Sequence, residues 1–177
     1  MKVSLKIPME VAIVGESNAG KTFLFNKLTG QNSNTNKVHA IAKRKATFAN
    51  VTFTDIPGFS SPEFARSAMR LARLLVIVIE QKSFSEKTIQ YWVNMGFLNT
   101  IHPGILVCLT KSENELTPKC EYKCIAINTK TGLGISDFCG FIKTMADRMF
   151  PDAKSRITSK PNRGWFWWLK RGCMVCI

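Results

Sequence analysis

Eight residues, Gly15-Glu16-Ser17-Asn18-Ala19-Gly20-Lys21-Thr22, follow the pattern G-x-x-x-x-G-K-[ST]. Their types suit one task, the wrapping of backbone around a phosphate. Gly15 and Gly20 free the chain to turn its N–H groups toward a single anion, and a helix N-terminus adds partial positive charge. Lys21 reaches β and γ oxygens, and the Thr22 hydroxyl is a ligand for Mg²⁺. The nucleotide-binding candidates here are therefore Gly15, Ser17, Asn18, Ala19, Gly20, Lys21, Thr22 and Phe23. A chance glycine turn is the bland alternative, and the strand and helix expected on either side of the loop argue against it.

Three further clusters decide which nucleotide. Asp55-Ile56-Pro57-Gly58 pairs a carboxylate suited to a Mg²⁺-bound water with a glycine N–H suited to a γ-phosphate. Thr110-Lys111-Ser112-Glu113 offers a carboxylate for the paired N–H groups of guanine, with the Lys111 stem packed along the base. Asn128, Thr129 and Lys130 follow the next strand, where backbone groups can meet the guanine carbonyl. Taken singly, the last three are ordinary surface turns. Their order along the chain, each after a strand, points to guanine nucleotide bound where open α/β sheets bind ligands.

The elements that must position these groups are read from periodicity. Glu10 to Val14 is a short apolar strand, and Phe23, Leu24, Phe25 and Leu28 give Thr22 to Leu28 a helical spacing. Val38 to Lys45 and Val51 to Asp55 are expected as an antiparallel hairpin turning at Ala49 and Asn50. Helices are expected at Glu63 to Arg73, Thr88 to Phe97 and Ile135 to Met149, and strands at Leu74 to Ile79, Ile105 to Leu109 and Cys124 to Ile127. Alternation of this kind implies an α/β, three-layer fold, a mostly parallel central sheet with helices on both faces. Asn114 to Lys123 is too short for another helix, so the fold is expected to be trimmed there.

The chain of 177 residues, 45% apolar, has enough material for one core, and the pattern ends near Phe150. Residues 1–150 are thus read as one domain and 151–177 as a tail. With 25 Lys and Arg against 12 Asp and Glu, the net charge is +13, which speaks about partners. The apolar run Leu71 to Ile79 contains Arg73 and falls short of the ~20 residues that span a bilayer. Six scattered cysteines suit reduced thiols in a cytoplasmic setting. A Cys120, Cys124, Cys173 and Cys176 zinc set is an alternative weighed against their different contexts.

The tail holds six basic residues against Asp152, and interleaves them with Trp165, Phe166, Trp167 and Trp168. Indole rings beside Lys and Arg suit the headgroup layer of an anionic membrane. The last four residues, Met174 to Ile177, lack a C-a-a-X cysteine, so Cys173 and Cys176 are read as lipidation candidates of an irregular kind. The bland alternative is that the aromatic cluster docks onto the domain with both thiols unmodified.

Over residues 9–149 the chain resembles the translation-factor-related class of P-loop GTPases. Gly20-Lys21-Thr22-Phe23-Leu24-Phe25-Asn26-Lys27-Leu28-Thr29-Gly30 and the D-x-P-G motif look most like the Era-like and ferrous-iron-transporter groups. Tyr91-Trp92 and Thr129-Lys130-Thr131-Gly132-Leu133-Gly134-Ile135 look more like Ras and Rab. The resemblance implies a GTP/GDP-regulated switch with Mg²⁺ held by Thr22, Asp55 and a first-switch threonine, Thr35 in preference to Ser33. It assigns catalysis to Lys21, Thr35 and Gly58. It also implies effector and GTPase-activating proteins at the switch regions, and a basic, lipidated tail on the cytosolic face of a membrane. Two departures matter. Phe59 stands where Ras-like proteins place a water-orienting glutamine, so slow intrinsic hydrolysis is expected, and Glu113 replaces the usual Asp. A catalytically weak scaffold and an RNA- or ribosome-associated GTPase are the competing readings, nucleic acid being the less favoured partner.

Overall fold

The computed structural model describes residues 8–30, 44–48, 51–58, 61–97, 104–114 and 116–149. Six strands form one sheet: β1 (Met9–Gly15), β2 (Arg44–Phe48), β3 (Val51–Asp55), β4 (Leu74–Glu80), β5 (Gly104–Thr110) and β6 (Lys123–Ala126). Their order is β2-β3-β1-β4-β5-β6. Every pairing is parallel except that of the edge strand β2 with β3. Among the described residues four α-helices accompany them: α1 (Lys21–Thr29), α2 (Pro62–Met69), α3 (Glu86–Phe97) and α4 (Ile135–Met149).

Side chains that alternate along each strand divide the core in two. Val11 and Ile13 of β1, Leu74, Val76 and Val78 of β4, and Leu106 and Cys108 of β5 meet α1 and α4, with Leu24, Phe25 and Phe138 filling the layer. The intervening residues, Ala12 and Val14, Leu75, Ile77 and Ile79, and Val107 and Leu109, meet α2 and α3 through Ala65, Met69, Ile89 and Trp92. Burial on both faces explains why β4 reads as a continuous Leu, Val and Ile run. The result is a three-layer α/β fold with a mostly parallel sheet, as the alternation of elements implies.

Local chemistry sets the boundaries. Ser61 caps α2, its Oγ accepting the Phe64 N–H at 3.2 Å, and Pro62 occupies the first turn, where its missing N–H is harmless. α2 ends at Met69, earlier than its apolar spacing suggests, because the Arg73 N–H leaves the helix and donates to Glu10 O of β1. Within the described residues β2 spans Arg44–Phe48, in the register that opposes Phe48 to Val51, so the strand runs on past the expected end at Lys45. Residues 38–43 of the expected strand lie outside the described residues, as does the proposed tail with its domain boundary. Among the described residues, 111–122 contain no helix, the expected trimming between β5 and β6.

Candidate functional site

β1 ends at Gly15, where the chain must pass within reach of β4. A Cβ there would lie 2.1 Å from Val78 O, so no side chain fits without moving the strand. The loop then turns through Asn18, at φ 62, and Gly20, at φ 94, before α1 begins at Lys21. These left-handed residues reverse the backbone so that the start of α1 faces the crevice at the C-terminal ends of β1 and β3.

Lys21 is the most constrained group in the site. It is 6% exposed, and its Nζ donates to Glu16 O at 2.6 Å, holding the amine across the mouth of its own loop. Burial pulls its pKa below the ordinary lysine value, while the charges of Asp55 and Glu16 act in the other direction. Thr22 Oγ1 donates to Asp55 Oδ2 at 3.0 Å, and Asp55 is buried at the end of β3. This donor set fits a hard divalent cation of the Mg²⁺ type: a hydroxyl on the first turn of α1 and a carboxylate at the end of β3. Gly58 lies against the same loop, since a Cβ on it would come 2.6 Å from Ser17 N and 2.9 Å from Lys21 Nζ. Beside it, Ser17 Oγ is buried without a hydrogen-bond partner.

The second half of the site is built by β5 and β6. Thr110, 3% exposed, donates its hydroxyl to the Ala19 carbonyl, with Ile79 O at 3.2 Å as the weaker acceptor of the same proton, which ties the base-side loop to the phosphate-side loop. Lys111 stands at φ 55 and its Nζ meets Glu80 Oε2 at 2.6 Å. Ser112 is fully buried, with its Oγ donating to Leu109 O at 2.7 Å. Glu113 is exposed at the rim. The Asn128 amide is spent inside the protein: Nδ2 donates to Ser112 O at 2.9 Å, and Oδ1 accepts the N–H groups of Lys130 and Thr131. Asn128 thus orders both base-side loops, and Thr129 and Lys130 follow it at the rim.

The structure therefore brings together Gly15, Ser17, Asn18, Ala19, Gly20, Lys21, Thr22, Asp55 and Gly58 at one end of the crevice and Thr110, Lys111, Glu113, Asn128, Thr129 and Lys130 at the other. Phe23 sits on α1 with 49% of its surface exposed. Thr35, Phe59, Cys173 and Cys176 lie outside the described residues. Two participants were not visible in the sequence. Glu80 and Gln81 leave β4 as an ordinary polar pair, and only the β4–β5 register, which opposes Glu80 to Thr110, places them beside the base-side loop. Of the zinc alternative, Cys120 and Cys124 pack against the α2–α3 layer. The Cys124 thiol is pushed up to about 12, chiefly by burial and then by its Cys120 neighbour.

A phosphate loop opening a helix after a central parallel strand, with an aspartate and a glycine facing it, defines a P-loop nucleotide-binding domain. Residues 10–111 match the family described as 50S ribosome-binding GTPase, and the chain belongs to that family. A comparison with curated protein sequences finds no match. Among solved structures, the chain is similar to the bacterial selenocysteine-specific elongation factor EF-Sec, at 19% identity and a TM-score of 0.62 over 80% of this chain and 29% of that one. It is also similar to the FeoB G-domain from Methanococcus jannaschii, at 19% identity and 0.60 over 79% of this chain and 98% of that one. Era from Aquifex aeolicus gives 18% identity and 0.61 over 77% of this chain and 56% of that one. The chain spans less than a third of the elongation factor's length and nearly all of the FeoB domain's. At these identities the likeness is one of fold. The family match is what makes this a GTPase domain.

Proposed function

We propose that the protein is a small GTP-binding switch, slow to hydrolyse GTP unaided and tethered to a membrane by its basic, tryptophan-rich tail. The observation that carries the nucleotide reading is the joining of the two half-sites by Thr110, whose hydroxyl bonds to Ala19 O of the phosphate loop while its own chain continues into Lys111 and Glu113. Phosphate and base are then read by one connected frame.

In this reading the loop amides from Ser17 to Gly20 and the start of α1 bind the phosphates, and the Lys21 ammonium spans the β and γ oxygens. Thr22 and Asp55 hold Mg²⁺, which when bound neutralises charge on those oxygens. Gly58 lies close enough to the loop for its N–H to sense a γ-phosphate, so the segment after β3 can change position with the state of the nucleotide. Phe59 has no polar group to orient the attacking water, and a GTPase-activating partner supplies it. Glu113 reads guanine, and effectors read the ordered switch surface that includes Thr35.

Among the described residues no helix is long and apolar enough to cross a membrane. The tether is assigned to the tail on its sequence, with its aromatic and basic residues and lipid on Cys173 or Cys176 as two combined signals. The test measures the affinity of the full chain for GDP, a GTP analogue and an ATP analogue with Mg²⁺, beside Lys21→Ala and a hydrolysis time course. Guanine-selective binding lost in the variant, with slow turnover, is expected. Folded protein without guanine binding overturns the reading. Flotation on anionic vesicles, reduced by Trp167→Ala with Trp168→Ala, tests the tether.

A second reading, association with RNA or the ribosome, is favoured by the description of the family and by the net charge of +13. It predicts RNA binding that falls steeply with salt.

A further inference from the structure

We propose that Glu80 and Gln81 are positioning residues for the base-reading loop, standing in for the scaffold that a helix between β5 and β6 would provide. The inference rests on the GTP reading and names the part of that site that sequence motifs do not.

The loop leaving β5 has little apolar anchorage. Among the described residues, 111–122 form no helix, and Leu116 is 73% exposed. Its first residue, Lys111, holds φ at 55, a region a long side chain rarely adopts unless its surroundings hold it. Polar ties do the holding. The parallel register places Glu80 opposite Thr110, so the carboxylate at the end of β4 arrives beside Lys111 and meets its Nζ at 2.6 Å. One residue later, Gln81 Nε2 donates to Leu116 O at 3.0 Å. Two consecutive side chains thus grip both ends of the segment 111–116. From the other flank Asn128 Nδ2 holds Ser112 O at 2.9 Å, so the loop carrying Glu113 is fixed on both sides.

The two charged groups are partly solvated, with side-chain exposures of 52% for Lys111 and 31% for Glu80. A pair so exposed contributes little to global stability. Its effect belongs to the local geometry: the ion pair holds Lys111 at the start of the loop that carries Glu113. Loosening the grip is expected to weaken recognition of the base and to leave recognition of the phosphates intact.

The experiment uses the full-length chain, with Glu80→Gln, Gln81→Ala and the double variant compared with wild type and with Glu121→Gln, an exposed glutamate before the start of β6, as a control. Fluorescent GDP and inorganic triphosphate are the probes. Each single variant is expected to raise the Kd for GDP about three- to tenfold through faster dissociation. Triphosphate affinity and a Tm within about 2 °C of wild type are expected to hold. Unchanged GDP affinity in both variants, or equal weakening of GDP and triphosphate, overturns the assignment of Glu80 and Gln81 alone. Wild-type protein that is folded but does not bind GDP overturns the GTP reading and this inference with it.

Discussion

Lys21 shows how a functional charge is carried at the expense of stability. Burial lowers its pKa beneath the ordinary value of 10.5, so between the lowered value and 10.5 the folded protein holds fewer protons than the unfolded chain. Stability contributed by this group therefore rises with pH through that window and is lacking below it. Replacement by an apolar side chain of similar length removes the penalty at neutral pH. Lys21→Met is expected to raise the melting temperature of nucleotide-free protein at pH 7 and to abolish the further rise that GDP gives. A lower melting temperature for the variant would contradict the assigned cost of burial. Gly58 poses the opposite case, in which space is the functional quantity. A methyl group there meets Ser17 N at 2.6 Å, so Gly58→Ala is expected to push the segment off the phosphate loop. Single-turnover hydrolysis should fall about tenfold or more, by analogy with the loss of a transition-state hydrogen-bond donor, while GDP affinity stays near wild type.

At the scale of elements, the boundaries come from a few local bonds layered on periodicity. Ile135 to Met149 was legible to the residue because a polar turn precedes a sustained amphipathic spacing. α2 was legible as a helix but not in its length, since the Arg73 N–H is claimed by Glu10 O across the chain, a partner that no local pattern announces. The start of α2 is fixed by Ser61, and Ser61→Ala is expected to destabilise it by about 1 kcal/mol. Faster amide exchange over residues 63–69, with β4 unchanged, is the measurement. Equal exchange in both proteins would mean that packing of Ala65 and Met69 alone defines the helix.

The described part of the molecule is one sheet serving two cores, and this much follows from the sequence because most of its strands alternate with helices. The phosphate loop was equally legible, its residue types being dictated by the anion. The base-side frame was not: Thr110 bonding to Ala19, Glu80 meeting Lys111 and Asn128 holding Ser112 all join residues brought together only by register and strand order. Because the two cores lie on opposite faces, large-to-small changes in each should act independently. Phe138→Ala is expected to destabilise by about 3–5 kcal/mol and Ile89→Ala by about 2–5. The double variant should match their sum to within about 0.5 kcal/mol in urea unfolding, unless strain crosses the sheet.

The strand order carries a consequence for synthesis of the chain. β1, which leads into the phosphate loop, is flanked by β3 and β4, neither of which follows it directly in sequence. A nascent chain emerging from the ribosome has made the whole loop by Thr22, yet lacks the strand against which Gly15 is fitted until Val78 has been added. The binding loop is thus written early and assembled late. Capture of nucleotide can begin only once Val78 has been added, which makes the ligand a reporter of the assembled central strands and not their template.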